Sequence, residues 1–272
     1  MKIKDHFLTK EIFTIEETST KGVFRTKDLP AELDRYYESP DYISHNQDSG
    51  SLKEKLYKFL QTFNLKYKKN ILKEELLPHT TVLDYGCGAG EFLKFIENDY
   101  QTFGLEPNDA ARSFASQKLK KTQIISQLDE IPDHSLGAIT LWHVLEHIEN
   151  QEEILNLFYT KLKSNGCLII AVPNPTSYDG KKYREFWAAY DVPRHVYHFT
   201  KNGMENLMNN ENWKIKKIKP LLLDSFYISM LSEKYKKSRL YWLKAMVFGA
   251  ISNFKALKTG EFSSLIYIIE KK

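Results

Sequence analysis

Residues 141–148 read LWHVLEHI, and within them His143, Glu146 and His147 spell H-x-x-E-H. Two imidazoles and a carboxylate on one helical face could bind zinc, with the glutamate as general base of a hydrolase. A second concentration of chemistry lies in YDVPRHVYHF, which holds Tyr190, Asp191, Arg194, His195, Tyr197 and His198. A histidine there could serve as a base, because its ordinary pKa lies near neutrality. A third is the string VLDYGCGAGEFL, with Asp84 ahead of Gly86, Gly88 and Gly90.

The glycines let the backbone turn sharply and let a ligand approach the N-terminus of the next helix, where unpaired N–H groups face outward. The spacing is G-x-G-x-G, since position 91 is Glu. A dinucleotide fingerprint requires its third glycine at 91. No G-K-[ST] follows, so this is not a triphosphate loop. An acidic residue beside the loop also disfavours a pyrophosphate. The next acid in the right place is Glu106, at the end of TFGLE and 22 residues after Asp84.

These residues must be positioned by the elements around them. TTVLDYG (80–86) reads as a buried strand and EFLKFIEN (91–98) as a helix. TFGLE (102–106) is a strand and DAARSFASQKL (109–119) a helix. TQIIS, LGAITLW and GCLIIAVP are further strands, with the helix QEEILNLFYTKLKS (151–164) between the last two. Strands alternating with helices imply βαβ crossovers and a parallel sheet. The expectation is an α/β fold: a doubly wound, Rossmann-like, seven-stranded and mostly parallel sheet with helices on both faces. Residues 1–74 form an N-terminal helical or irregular lid, in which Ser51 and Glu54 suit a capping box and YYESPDYISH (36–45) suits turns. Residues 75–272 form the main domain, interrupted at 174–199 and at 225–259. The second insertion is helical, Lys-rich and aromatic, and SSLIYIIEK (263–271) is the last strand.

Composition narrows the function further. The 272 residues carry a net charge of +4, with no strong basic stripe, which argues against nucleic acid. Only two cysteines occur, Cys87 and Cys167, so no disulfide framework or cysteine zinc module is expected, and a reducing cytoplasm is the simplest location. No window of 18 uninterrupted apolar residues suggests a transmembrane span. For residues 225–259 the expectation is a cover over the sheet with a solvated lysine face. A substrate cap or membrane-surface contact is the alternative.

VLDYGCGAGEFL resembles the first motif of the class I S-adenosylmethionine-dependent methyltransferases. DHSLGAITLWHVLEHI resembles their fourth strand and following loop, SNGCLIIAVPNP their fifth strand, and RHVYHFTKNGMENLM a segment of a bacterial small-molecule branch. The resemblance implies S-adenosyl-L-methionine as cofactor, S-adenosyl-L-homocysteine as product and a small-molecule acceptor. It further implies that Asp84 and the backbone of Gly86, Cys87, Gly88 and Gly90 hold the methionine end. Glu106, followed by Pro107, would take the ribose hydroxyls. Gln127 and Leu128 would meet the adenine, and Trp142 and His143 would line the cleft. Glu146 and His147 would then brace the loop.

In that reading the H-x-x-E-H string follows a strand rather than lying inside a long helix, and no third ligand is marked, so no metal is expected. The catalytic expectation falls on His195 as base or substrate anchor. Arg194 would hold an anionic group, with His198 beside them. The rival readings are a cofactor-binding protein without catalysis and a zinc hydrolase.

Overall fold

The computed structural model describes residues 1–36 and 52–272. The residues from 37 to 51, which include Ser51 and most of YYESPDYISH, lie outside that description. Three short strands, β1 (Lys2–Lys4), β2 (Ile12–Glu17) and β3 (Val23–Thr26), open the chain. Helix α1 (Leu52–Glu75) follows and leads into β4 (Thr81–Tyr85), α2 (Glu91–Ile96), β5 (Gln101–Leu105) and α3 (Asp109–Lys118). Then come β6 (Gln123–Ile125), β7 (Leu136–Trp142), α4 (Gln151–Lys161) and β8 (Leu162–Pro173). The first insertion contributes α5 (Tyr178–Tyr183) and β9 (Tyr197–Phe199). It is followed by α6 (Lys201–Met208), β10 (Trp213–Pro220), α7 (Asp224–Tyr235), α8 (Tyr241–Thr259) and β11 (Ser264–Lys271).

Seven strands form one sheet in the order β10-β11-β8-β7-β4-β5-β6. The pairs β4–β5, β4–β7, β5–β6 and β7–β8 are parallel, whereas β11 runs antiparallel to both neighbours. The strand order reverses beside β4, between β5 and β7, where doubly wound folds open a crevice at the carboxyl ends of their strands. The central strands are near-continuous apolar runs because both faces are covered: Leu136 through Leu141 are buried throughout. Leu83, Ile139, Leu168 and Phe158 pack on one face, and Val82, Ala138, Ile169 and Phe92 on the other.

Local signals set several boundaries. The Asn108 side chain caps α3 by accepting from Ala111 N at 3.0 Å. Gly260, at φ 74°, ends α8 in the left-handed conformation. Strand β8 begins at Leu162, so the helix before it is shorter than its apolar periodicity implies. A register shift between Leu136 and Ala138 lets the longer β8 pair with β7.

The N-terminus differs from the irregular lid expected of it. Strands β1, β2 and β3 form an antiparallel sheet completed by β9, with Phe24 opposite His198. The period-two burial of Ile12–Glu17 is the local cause: Phe13 and Ile15 face inward. They meet Tyr183, Trp187, Tyr190 and Val192 of the first insertion in a separate apolar cluster.

Candidate active site

Strand β4 ends at Asp84 and Tyr85, and the glycine loop turns from there into α2. Asp84 is 3% exposed and pairs in register with Thr140 of β7, whose Oγ1 donates to Asp84 Oδ1 at 2.6 Å. Burial, with Glu106 nearby, pushes the Asp84 carboxyl up to about 7, although Thr140 and the Lys68 ammonium pull the other way.

The three loop glycines all have positive φ, at 73°, 54° and 75°. Their surroundings differ. A Cβ on Gly86 would lie 2.6 Å from the Val144 side chain, and one on Gly90 would lie 2.9 Å from Leu119. A Cβ on Gly88 would meet nothing within 4 Å. Two glycines therefore admit close packing, and the third borders open space. Gly88 N donates to Glu106 Oε2 at 2.8 Å, and Asn108 N donates to Glu106 Oε1 at 2.9 Å. The carboxylate at the tip of β5 is thus fixed beside the loop, with lone pairs left for further donors. Cys87 is buried, and burial pushes its thiol far above neutrality, so it supplies no nucleophile.

Beyond β6, Leu128 is buried and offers an apolar wall, while Pro107 and Gln127 are exposed. Gln127 Nε2 donates to Asp129 Oδ2 at 2.9 Å, which joins the two polar residues of that segment.

Trp142 ends β7 and His143 follows it. His143 has φ 59°, and its N–H donates to Ala171 O at 3.0 Å as the chain turns off the strand. Its imidazole lies between two carboxylates, 2.9 Å from Asp224 Oδ2 and 3.3 Å from Glu146 Oε1. Burial lowers an imidazole, but Asp224 and Glu146 outweigh it and push His143 up to about 10. The Trp142 ring packs edge-on against Phe92 and carries the Lys68 ammonium 4.5 Å from its centroid. Trp142 Nε1 is a buried donor with no partner among the described residues.

Lys68 and Asp224 are residues that sequence reading misses. Lys68, on α1, sits among other lysines in KYKKN and looks like part of a solvated face. Burial lowers its pKa, against the opposing pull of Asp84 and Asp224. Asp224, in the first turn of α7, shows in sequence only as an interruption of an apolar run.

The three residues read as catalytic lie close together, with the His195 and His198 rings 6.4 Å apart, but their side chains make different contacts. Arg194 is 1% exposed, and its guanidinium works inside the protein. It grips Asp191 through Nε at 2.9 Å and Nη2 at 2.5 Å, gives Nη1 to Tyr36 O at 3.0 Å, and stands 3.6 Å from Asp5. Those contacts hold the 191–195 turn rather than present a donor to the cleft. His198 is buried on β9, with Nε2 3.0 Å from Thr26 Oγ1. The His195 side chain meets the loop after β7, packing edge-to-face on His147 at 4.7 Å. Burial, reinforced by the neighbouring His147, lowers its pKa to about 4, so it is neutral at pH 7. His147 Nδ1 reaches Arg194 O at 2.9 Å, the bracing contact expected of it.

The strand order and the glycine loop define a class I S-adenosylmethionine-dependent methyltransferase fold. The chain belongs to the methyltransferase-domain family, whose model matches residues 48–218. It is similar to the uncharacterized protein MJ1252 of Methanocaldococcus jannaschii, 26% identical over 175 residues. The match covers 60% of this chain and 65% of that protein, so the chain spans just under two thirds of this curated relative's length. In structure it is similar to a methyltransferase from Haloferax volcanii in complex with the Trm112 methyltransferase activator, with a TM-score of 0.58 at 13% identity, over 78% of this chain and 92% of that one. It is also similar to geranyl diphosphate C-methyltransferase from Streptomyces coelicolor A3(2), with a TM-score of 0.50 at 13% identity, covering 76% and 78% of the two chains. These structural likenesses show the fold. No helix among the described residues is long and apolar enough to cross a membrane.

Proposed function

We infer that the protein transfers a methyl group from S-adenosylmethionine to a small-molecule acceptor. The observation that carries the reading is the cradle at Gly88, open where the other loop glycines are packed and bracketed by Asp84 and Glu106. That chemistry suits a ligand with an ammonium, a sulfonium and a ribose but no phosphate. Asp84, Cys87 and the glycine-loop backbone would hold the methionine end, with Lys68 available to its carboxylate. Glu106 would accept the ribose hydroxyls, with Pro107 beside it. Leu128 and Gln127 would flank the adenine, and Trp142 and His143 would wall the cleft. The bound cofactor supplies an electrophilic methyl on a good leaving group, so the protein's task is chiefly alignment.

On the acceptor side this reading places His195, with Arg194 and His198 as positioning residues behind it. The two buried, unpaired cysteines agree with a reducing cytoplasm. Calorimetry with S-adenosylmethionine and S-adenosylhomocysteine tests the cofactor assignment, and silence with both would overturn it. Transfer of labelled methyl to any of a panel of small acceptors separates an enzyme from a protein that only binds the cofactor. In that assay His195→Ala should abolish turnover while cofactor affinity stays within a few-fold.

A further inference from the structure

The H-x-x-E-H string divides in the structure. His143 turns toward Asp224, whereas Glu146 and His147 turn toward His195, from a segment some fifty residues away in sequence. One ligand atom from each of Glu146, His147 and His195 lies within 4.8 Å of the other two.

The second contacts of these groups are informative. His195 Nδ1 lies 2.9 Å from Ala189 O, and His147 Nδ1 lies 2.9 Å from Arg194 O. A carbonyl oxygen only accepts, so Nδ1 carries the proton in both rings and each Nε2 holds a lone pair. Metal-binding imidazoles are oriented in this way, by a hydrogen bond from the other ring nitrogen to a carbonyl. Glu146 is 1% exposed. Its Oε1 faces His143 at 3.3 Å, but its buried Oε2 has no hydrogen-bond partner among the described residues. An uncompensated buried carboxylate oxygen is costly, and a cation removes that cost.

We propose that Glu146, His147 and His195 bind one divalent transition-metal ion beside the methyl-acceptor side of the cleft. Two neutral imidazoles and one carboxylate favour zinc, iron(II), cobalt(II) or manganese(II) over calcium. Such a set leaves coordination positions open for an oxygen of the acceptor or for water. His147 is half-buried. With the ion in place, His195 acts on the acceptor through the metal, which lowers the pKa of a bound hydroxyl. Binding of the ion does not depend on the methyl-transfer reading, whereas its action on an acceptor rests on it.

The test is chelator-stripped full-length protein titrated with Zn2+ and with Co2+, scored by calorimetry and by cobalt d–d absorption. One equivalent per chain is expected. Glu146→Gln and His195→Ala should each weaken Zn2+ binding by at least about 100-fold, and His79→Ala should leave it unchanged. Circular dichroism and S-adenosylhomocysteine affinity report whether each variant is folded. Should the variants not fold, X-ray absorption of Zn2+-loaded wild type decides the matter: a shell with two imidazoles supports the site, and one without imidazole overturns it. Absence of stoichiometric binding to wild type, or folded variants that bind as wild type does, would also overturn it. Cofactor binding is read separately, so failure of the metal site and failure of the methyltransferase reading are distinguishable.

Discussion

Asp224 Oδ2 stands 2.9 Å from His143 Nε2, so the helical insertion reaches back onto the end of the central strand. The pair makes the cap sensitive to pH. The folded His143 titrates at about 10, above its ordinary 6.5. Its protonation therefore supports the folded state fully below pH 6.5, and that support is lost as pH rises through about 10. Asp224→Asn should lower stability at pH 7 by about 1–3 kcal/mol, with the difference closing above pH 10. Urea unfolding at the two pH values measures this, and equal stability at pH 7 would contradict the pairing.

Asp84 behaves in the opposite sense. Its folded value of about 7 lies above the ordinary 3.8, so the folded state holds this proton longer than the unfolded chain does. The carboxyl's contribution to stability falls as pH climbs from 3.8 to about 7 and is level beyond. A ligand ammonium prefers the ionised form, so affinity for S-adenosylmethionine should rise through pH 7. Asp84→Asn should flatten that dependence, weaken binding and slightly stabilise the ligand-free protein at pH 8. Calorimetry across pH 5.5–8.5 reads the first two effects.

The loop glycines should separate folding from binding. Gly88→Ala costs about 1–2 kcal/mol for its left-handed backbone and meets no neighbour. It should leave a folded protein whose cofactor affinity drops at least tenfold. Gly86→Ala carries the same backbone cost and collides with Val144. It should lose about 1–3 kcal/mol more. Denaturant midpoints set beside cofactor affinities for the two variants test the distinction, which fails if both lose stability equally.

Arg194 should prove structural. Replacing it with Met leaves Asp191 and Asp5 without their partner inside the protein and should cost about 3–5 kcal/mol. Arg194→Lys should recover little, since a lysine cannot reproduce the forked contact to Asp191 together with the bond to Tyr36 O. Thermal denaturation in the absence of any ligand measures both.

Much of the fold was legible because its signals are local. An apolar run ending at a glycine marks β4, a longer apolar run marks β7, and alternation with helices gives the parallel sheet. The acid at the tip of β5 follows from its place after the glycine loop. Lys68 and Asp224 were hidden because they reach the cleft only through packing of distant elements, and nothing in KYKKN separates the half-buried Lys68 from its neighbours. The His195 side of the site was half-visible. The 190–198 cluster drew attention by composition, but only the three-dimensional arrangement divides Arg194, turned inward on Asp191, from His195, turned toward Glu146 and His147. Strands β1–β3 escaped notice because each is short and the sheet is completed by β9, which pairs with β3 from far along the chain.

That last pairing has a temporal consequence. Thr26 and His198, which meet through a hydrogen bond, are 172 positions apart. At a synthesis rate of about 5–20 residues per second, the first three strands spend roughly ten to thirty seconds outside the ribosome before their fourth partner emerges. The sheet that braces Arg194 and the 191–199 turn is therefore assembled after the central parallel strands up to β8 have been made. The N-terminal strands thus wait for a partner made after most of the parallel sheet.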